Sequence, residues 1–341
     1  MLRFLSSLFT GTSEQQKGLH EDLIEQAIDR AVEGTDQRIR AIGQYRKRLR
    51  QPVESAVAHV IALVDILPAP IEISPRAFGV DPLLRTLFVS PDHLREVLGS
   101  FKTLRNYLTN LTGPLPEQIF GLLSMDMEER KGFGMELVGD SVRRDVLQVT
   151  INFSNHRYLG SSSNEMDTRR ELKKRAFDFL IEKALERIAC ERSKRRELDH
   201  QWHLLKQKLN TMKAGNWGLD LMLADHEKQH PDLATLEAEI EAIEREFGQF
   251  HTDHLSLEES LANVVDTLSH PAAWLASREI RLHLDSMGIK IQDPSTTPCK
   301  EIILTEIFSG TKERRVVLLG YIARRDIPEP ANIWQEAKRY L

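Results

Sequence analysis

The chain has 341 residues, with 51 acidic and 46 basic side chains and a net charge of −5. Apolar residues make up 41 % of it and charged ones 28 %, which suits a sizeable core and excludes disorder throughout. The acidic balance disfavours a globally basic nucleic-acid binder, and at roughly 100–200 residues per domain the length fits two domains.

Two cysteines, Cys190 and Cys299, lie far apart with no CxxC. A disulfide framework is excluded, and a cytoplasmic setting is expected. No run of 18 apolar residues occurs, so no transmembrane segment is expected. The short apolar N-terminus places Leu2, Leu5 and Phe9 on one side of two helical turns. It lacks the long core and cleavage site of a signal peptide. It reads as a docked or frayed terminus, with peripheral membrane contact through residues 2–9 as the lesser reading.

Residues 13–33 have helical periodicity through Leu19, Leu23, Ala27 and Ala31, and Gly34 is a natural stop. Thr35 or Asp36 can cap a second helix, whose apolar positions run from Ile39 to Leu67 at coiled-coil spacing. Pro52 is expected to kink or break it, and Pro68, Pro70 and Pro75 to end it. Asp81-Pro82 and Ser90-Pro91 each set a capping side chain before a proline, which predicts short helices over 82–88 and 91–110. After Gly113, Pro114 and Pro116 a further helix is expected to about residue 130.

The pattern then changes. Residues 133–138 and 145–153 read as a β-hairpin turning at Gly139-Asp140, with Leu147, Val149, Ile151 and Phe153 on one face. From about Asp167, Phe177, Ile181, Ala184, Ile188, Glu191, Arg195, Leu198, Trp202, Leu205, Leu209 and Met212 follow four-three spacing, a rod of roughly 70 Å. After Pro231 a second seam runs Leu233, Leu236, Ile240, Ile243, Phe247, Phe250, His254, Leu257, Leu261, Val264 and Leu268, although Ser256-x-x-Glu259 resembles a fresh helix start. The first arm is basic (14 basic and 7 acidic residues over 169–213) and the second acidic (2 and 13 over 220–266), which favours antiparallel pairing. Equal seams set Met212 opposite Leu233 and Glu191 opposite His254, a polar register pair with Arg195 nearby. Alternating residues around 280–291, 301–308 and 314–324 add up to four antiparallel strands.

The expected fold class is therefore α+β and predominantly helical: an N-terminal helical region, then a small antiparallel β module carrying an inserted antiparallel helical hairpin. The expected boundaries are 1–130 for the N-terminal helical domain, 131–164 with 270–325 for the β module, 165–269 for the coiled-coil insertion, and 326–341 for a tail with a short helix.

Three strings bear on chemistry. His226-Glu227-x-x-His230 spells the zinc-hydrolase motif, in which two histidines one turn apart bind the metal and the glutamate activates its water. With 12 histidines in the chain such a string arises by chance in roughly 3 % of comparable sequences. Pro231 also biases His230 away from helical geometry, so the string reads as the boundary of the second arm. His200 with His203 and His251 with His254 repeat a three-residue spacing but read as solvated. Residues 38–50 hold Arg38, Arg40, Arg46, Lys47, Arg48 and Arg50 with no acidic residue, a candidate patch for nucleic acid or an acidic partner. Positions all round a helix do not make one face, however, and an ordinary solvated face, or pairing with acidic residues elsewhere, is the preferred reading. Gly132-Phe133-Gly134 precedes a strand and is no dinucleotide loop. No catalytic residue and no cofactor is assigned. The functional expectation is a non-enzymatic cytoplasmic coiled-coil interaction or scaffold protein with a protein partner. The alternatives are a zinc-dependent hydrolase and, less favoured, nucleic-acid binding.

Overall fold

The computed structural model describes residues 13–138, 141–213, 233–248, 253–285, 287–291, 299–310 and 313–328. Its fold class is α+β. The chain divides into two units, one of residues 1–56 with 178–270 and one of residues 57–177 with 271–341. The division cuts across the expected one: the first helices group with the helical insertion, and the short proline-capped helices group with the sheet.

In the helical unit, α1 (Ser13–Gly34) ends at the expected glycine. A Cβ on Gly34 would lie 2.5 Å from Ile181 Cγ2, so only glycine permits this approach. Asp36 caps a 3-10 turn over Gln37–Ala41. The expected second helix is interrupted there, not at Pro52. Gln44 takes a left-handed conformation (φ 59°), and α2 (Tyr45–Asp65) then runs through Pro52 without a break. The 49-residue α7 (Glu165–Lys213) contributes its part from residue 178 onward. The second arm is two helices, α8 (Leu233–Gly248) and α9 (Asp253–Ser269). Ser256, read as a fresh helix start, lies inside α9, and residues 249–252 lie outside the described residues. Ile24, Ile28, Val32, Ile39, Leu49, Val53, Leu180, Ile181, Ile188, Leu261, Val264 and Leu268 form the buried interior.

In the sheet unit, β1 (Ile71–Glu72) is followed by α3 (Pro75–Phe78), α4 (Pro82–Leu87), α5 (Pro91–Ser100) and α6 (Lys102–Asn110). Ser74, Asp81 and Ser90 accept the capping bonds of the first three. Pro75 therefore opens a helix; it was expected only to end one. The helix expected up to about residue 130 is instead the start of β2 (Gln118–Val138). Ile119, Leu123 and Met125 alternate on a fully buried face, and that period of two prevails over the helix-forming Glu-Glu-Arg-Lys run that follows. β3 (Ser141–Ser162) pairs back on it, with Val138 opposite Ser141 across the predicted turn. After α10 (Pro271–Trp274) come β4 (Leu275–Leu284), β5 (Lys300–Ser309) and β6 (Glu313–Ala323).

The six-stranded sheet has the order β3-β2-β6-β5-β4, with β1 parallel on β6 and the other strand pairs antiparallel. A strap after β4 ties the two outer strands. Ile291 N donates to His283 O (2.8 Å), Ile151 N to Gly288 O (3.0 Å) and Lys290 N to Val149 O (2.8 Å), so the strap makes isolated bridges to both outer strands. Leu84, Leu87, Phe88, Leu94, Leu98, Phe101 and Leu104 cover one face and form a single core with Ile119, Leu123, Tyr158, Leu282, Leu304 and Ile322. Arg169 donates to the carbonyls of Val64, Leu67 and Pro68 at the end of α2, where a cation meets the negative end of a helix. Residues 329–341, with the expected tail helix, lie outside the described residues, as do residues 2–9.

Candidate functional site: the charged seams of the helical unit

α9 turns Ser260, Asn263 and Thr267 onto one buried face, at the spacing that aligns side chains along a helix. α7 answers each of them. Arg192 bonds the Ser260 hydroxyl (3.2 Å), Asn263 Nδ2 donates to Glu191 Oε2 (2.5 Å), and Arg187 reaches Thr267 Oγ1 (3.1 Å) and Asp266 Oδ2 (2.6 Å). Arg192 also pairs with Asp36, the cap of the 3-10 turn, which takes the Arg38 backbone N–H (3.0 Å) and the Arg38 guanidinium as well. Burial alone would raise the Asp36 carboxyl. The bonds from Arg38 and Arg192 outweigh it and hold the group down at about 2. Asp266 is likewise lowered, first by its bond to Arg187.

The two arms run antiparallel, because partners of α7 fall from Asp266 to Glu244 as α7 rises from Arg187 to Trp202. Trp202 Nε1 donates to Glu244 Oε1 at 3.0 Å, within one residue of the register that equal seams imply. Glu191, in contrast, meets Asn263, nine residues beyond His254. The α7–α9 register is thus offset from the α7–α8 register by about two helical turns. The offset lies between the part of the second arm up to Gly248 and the part from Asp253 onward. His254 lies in the first turn of α9, and its side chain is outside the described residues.

The basic run meets carboxylates within the same unit. Arg38 pairs with Asp36, Arg40 with Glu33 (3.0 Å), Arg46 with Glu25 and Asp29, Arg48 with Glu258 (2.6 Å), and Arg50 with Glu21 (2.6 Å) and Glu54 (3.2 Å). Lys47 sits among them on α2. The six cations are spread around a 3-10 turn and a helix, not gathered on one face. Each exposed pair contributes little, about 0–1 kcal/mol, and several together fix how α1, α2 and α9 meet.

His226, Glu227 and His230 lie outside the described residues. Among the described residues no group of three or more His, Cys, Asp or Glu is placed to hold a metal. His203 approaches Asp199 at 3.8 Å and lies edge-on to Trp202. A shallow groove of about 420 Å³ is lined by Arg48, Ala262, Val265, Asp266, Ser269 and His270.

The sheet unit holds a second polar cluster that sequence reasoning missed. His156 stacks on Phe88 (4.8 Å), lies edge-on to His93 (5.8 Å) and bonds the Leu87 carbonyl (3.0 Å). Burial lowers its pKa; the Leu87 bond and Asp126 oppose this, and His93 and Arg315 reinforce it. Nearby, the fully buried Tyr158 shares its hydroxyl between the carbonyls of Ile119 and Gly320 (2.9 Å each), and burial pushes its phenol well above the usual value. Both residues follow Asn155, a left-handed residue (φ 51°) at a register shift. That bulge breaks the alternation at the point where the sequence reading ended the strand. A cleft of about 460 Å³ opens beside Thr103, Asn106, Tyr107, Gly160, Ser161 and Arg175. Burial pushes the Tyr107 phenol up, as does Asp167 to a lesser degree, against a bond to Ser163.

No family model, no curated protein and no solved structure matches this chain.

Proposed function

We propose that the protein is a non-enzymatic interaction or scaffold protein that docks partners along the paired arms formed by α7 and α8. The observation that carries this reading is the division of charge across the pair. The outer part of α7 presents Lys194, Arg196, His200, His203 and Lys206 to solvent, interrupted by Glu197 and Asp199, and α8 presents Glu237, Glu239, Glu241 and Glu244, followed by Arg245. Between them, Leu236 and Ile240 are buried while Leu198, Trp202 and Leu205 are half-covered, as in a two-stranded coiled coil. Leu204 stands outside the seam and is 52 % exposed. A surface with one basic flank, one acidic flank and an apolar residue suits an amphipathic helical segment of complementary charge. Cytoplasmic location accords with two unpaired cysteines.

Affinity capture from cell extract tests the proposal. Deleting residues 201–256 should remove the captured partners while the sheet unit keeps its circular dichroism and melting transition. Undiminished capture would refute the role given to the arms.

A further inference from the structure

β2 parts from β6 after Met125 and continues to Val138, paired among the described residues only with β3. Its odd-numbered face is the core face: Ile119, Leu123 and Met125 are buried. The same face runs outward through Lys131, Phe133 and Met135, with Leu147 directly across from Phe133 and Val149 across from Lys131. Phe133, Met135 and Leu147 are 78 %, 68 % and 60 % exposed. The side that forms the core within the sheet therefore emerges uncovered on a two-stranded ribbon.

The two edges of that ribbon differ. All three register shifts between the strands take their extra residue from β3, and Asp145 and Asn155 are left-handed there (φ 60° and 51°). Residues 288–290 also bond to β3 at 149–151. Bulges and covering segments are the usual means by which an edge strand is kept from pairing with another chain. β2 from 126 to 138 contributes no extra residue at these shifts, and its outer edge has no strand partner among the described residues, so it is pairing-competent.

We infer that this edge is a self-association surface, on which residues 128–138 of two copies pair antiparallel across a two-fold axis at Phe133. In that register Phe133 meets Phe133 of the second copy. Position 130, an arginine, faces position 136, a glutamate, and symmetry repeats the match. The ribbon, 127–149, holds four basic and five acidic residues. That near balance gives no net attraction to an anionic membrane or a nucleic acid, and it suits a copy of itself. The pairing extends the sheet by main-chain bonds and continues the apolar face across four strands. It is independent of the role given to α7 and α8.

Sedimentation equilibrium of the full chain tests it. The expected result is a reversible dimer with a dissociation constant in roughly the micromolar range, as for a small transient interface. Phe133→Lys, a change at an exposed position, should raise that constant at least about tenfold by placing like charges at the axis. In a Cys190→Ser, Cys299→Ser background, Phe133→Cys should form a disulfide-linked dimer on mild oxidation. Leu147→Cys, one strand removed from the axis, should not. A monomer at all concentrations overturns the inference, as does a dimer indifferent to Phe133→Lys. Equal cross-linking through Leu147→Cys overturns the edge-to-edge register. A monomer that instead binds phospholipid vesicles assigns the face to a membrane and overturns the inference as well.

Discussion

Arg192 and Asp36, 156 residues apart in the chain, form an ion pair in which the carboxylate is only 7 % exposed. One carboxylate caps the 3-10 turn and anchors α7, and Arg192 also bonds Ser260 on α9. Removing the carboxylate takes a partner from Arg38, from Arg192 and from the 3-10 turn at once. Asp36→Ala should destabilise the helical unit by about 3 kcal/mol, combining a lost cap with a broken buried pair. Arg192→Ala should cost less, about 1–2 kcal/mol, because Asp36 keeps its bonds from the Arg38 backbone N–H and guanidinium. Urea unfolding checks both, and a Asp36→Ala midpoint equal to wild type contradicts this role.

The same carboxylate sets an acid limit. Its folded-state pKa of about 2 lies below the ordinary 3.8, so its contribution is complete above 3.8 and is lost as pH falls through 2. His156 acts in a higher window. Its folded value lies below 6.5, so the neutral ring contributes fully above 6.5. That contribution falls as pH drops below 6.5 toward the depressed value, because the unfolded chain gains a proton that the folded one resists. Thermal melts from pH 8 to pH 5 should show a decline that His156→Asn flattens. A His156→Asn profile parallel to wild type would contradict the assignment.

The sequence made the periodic elements legible and misread those in which one local rule competes with another. Gly34 as a stop, the Asp81-Pro82 and Ser90-Pro91 caps and the long α7 follow from spacing and capping alone. The strand at 118–130 was hidden because Glu128 to Lys131 are good helix formers whose place is fixed by pairing with β3, 18 to 24 residues away. The strand end at 154–162 was hidden by the Asn155 bulge, and His156 and Tyr158 with it. The ladder of Ser260, Asn263 and Thr267 was overlooked because polar residues at helical spacing read as a solvated face. Only their burial against α7 distinguishes them.

Close packing around Tyr158 gives a stability prediction in the sheet unit. A Cβ on Gly121 would come within 2.5 Å of the Tyr158 ring, so Gly121→Ala should cost about 1–3 kcal/mol through overpacking. Tyr158→Phe removes only the hydroxyl shared by two carbonyls and should cost about 1 kcal/mol. Equilibrium unfolding of the sheet unit checks the order, and a Gly121→Ala protein as stable as wild type would contradict the packing.

The shifted register of α9 is open to direct chemical trapping. With Cys190→Ser in place, Glu191→Cys and Asn263→Cys should form an intramolecular disulfide readily, whereas Glu191→Cys with His254→Cys should form it poorly. Preferential linking to position 254 would restore the register that equal seams imply.

The most direct measurement of the docking role is partner recovery by a full-length protein altered at one exposed site. Leu204→Glu leaves the seam residues untouched and should leave the melting temperature within about 2 °C of wild type, since surface changes usually stay within about 0.5 kcal/mol. The proposal predicts that partner recovery on Leu204→Glu beads falls at least about tenfold, equivalent to 1.4 kcal/mol of lost binding, and that wild-type recovery weakens with added salt. Recovery equal to wild type, insensitive to salt, would contradict it.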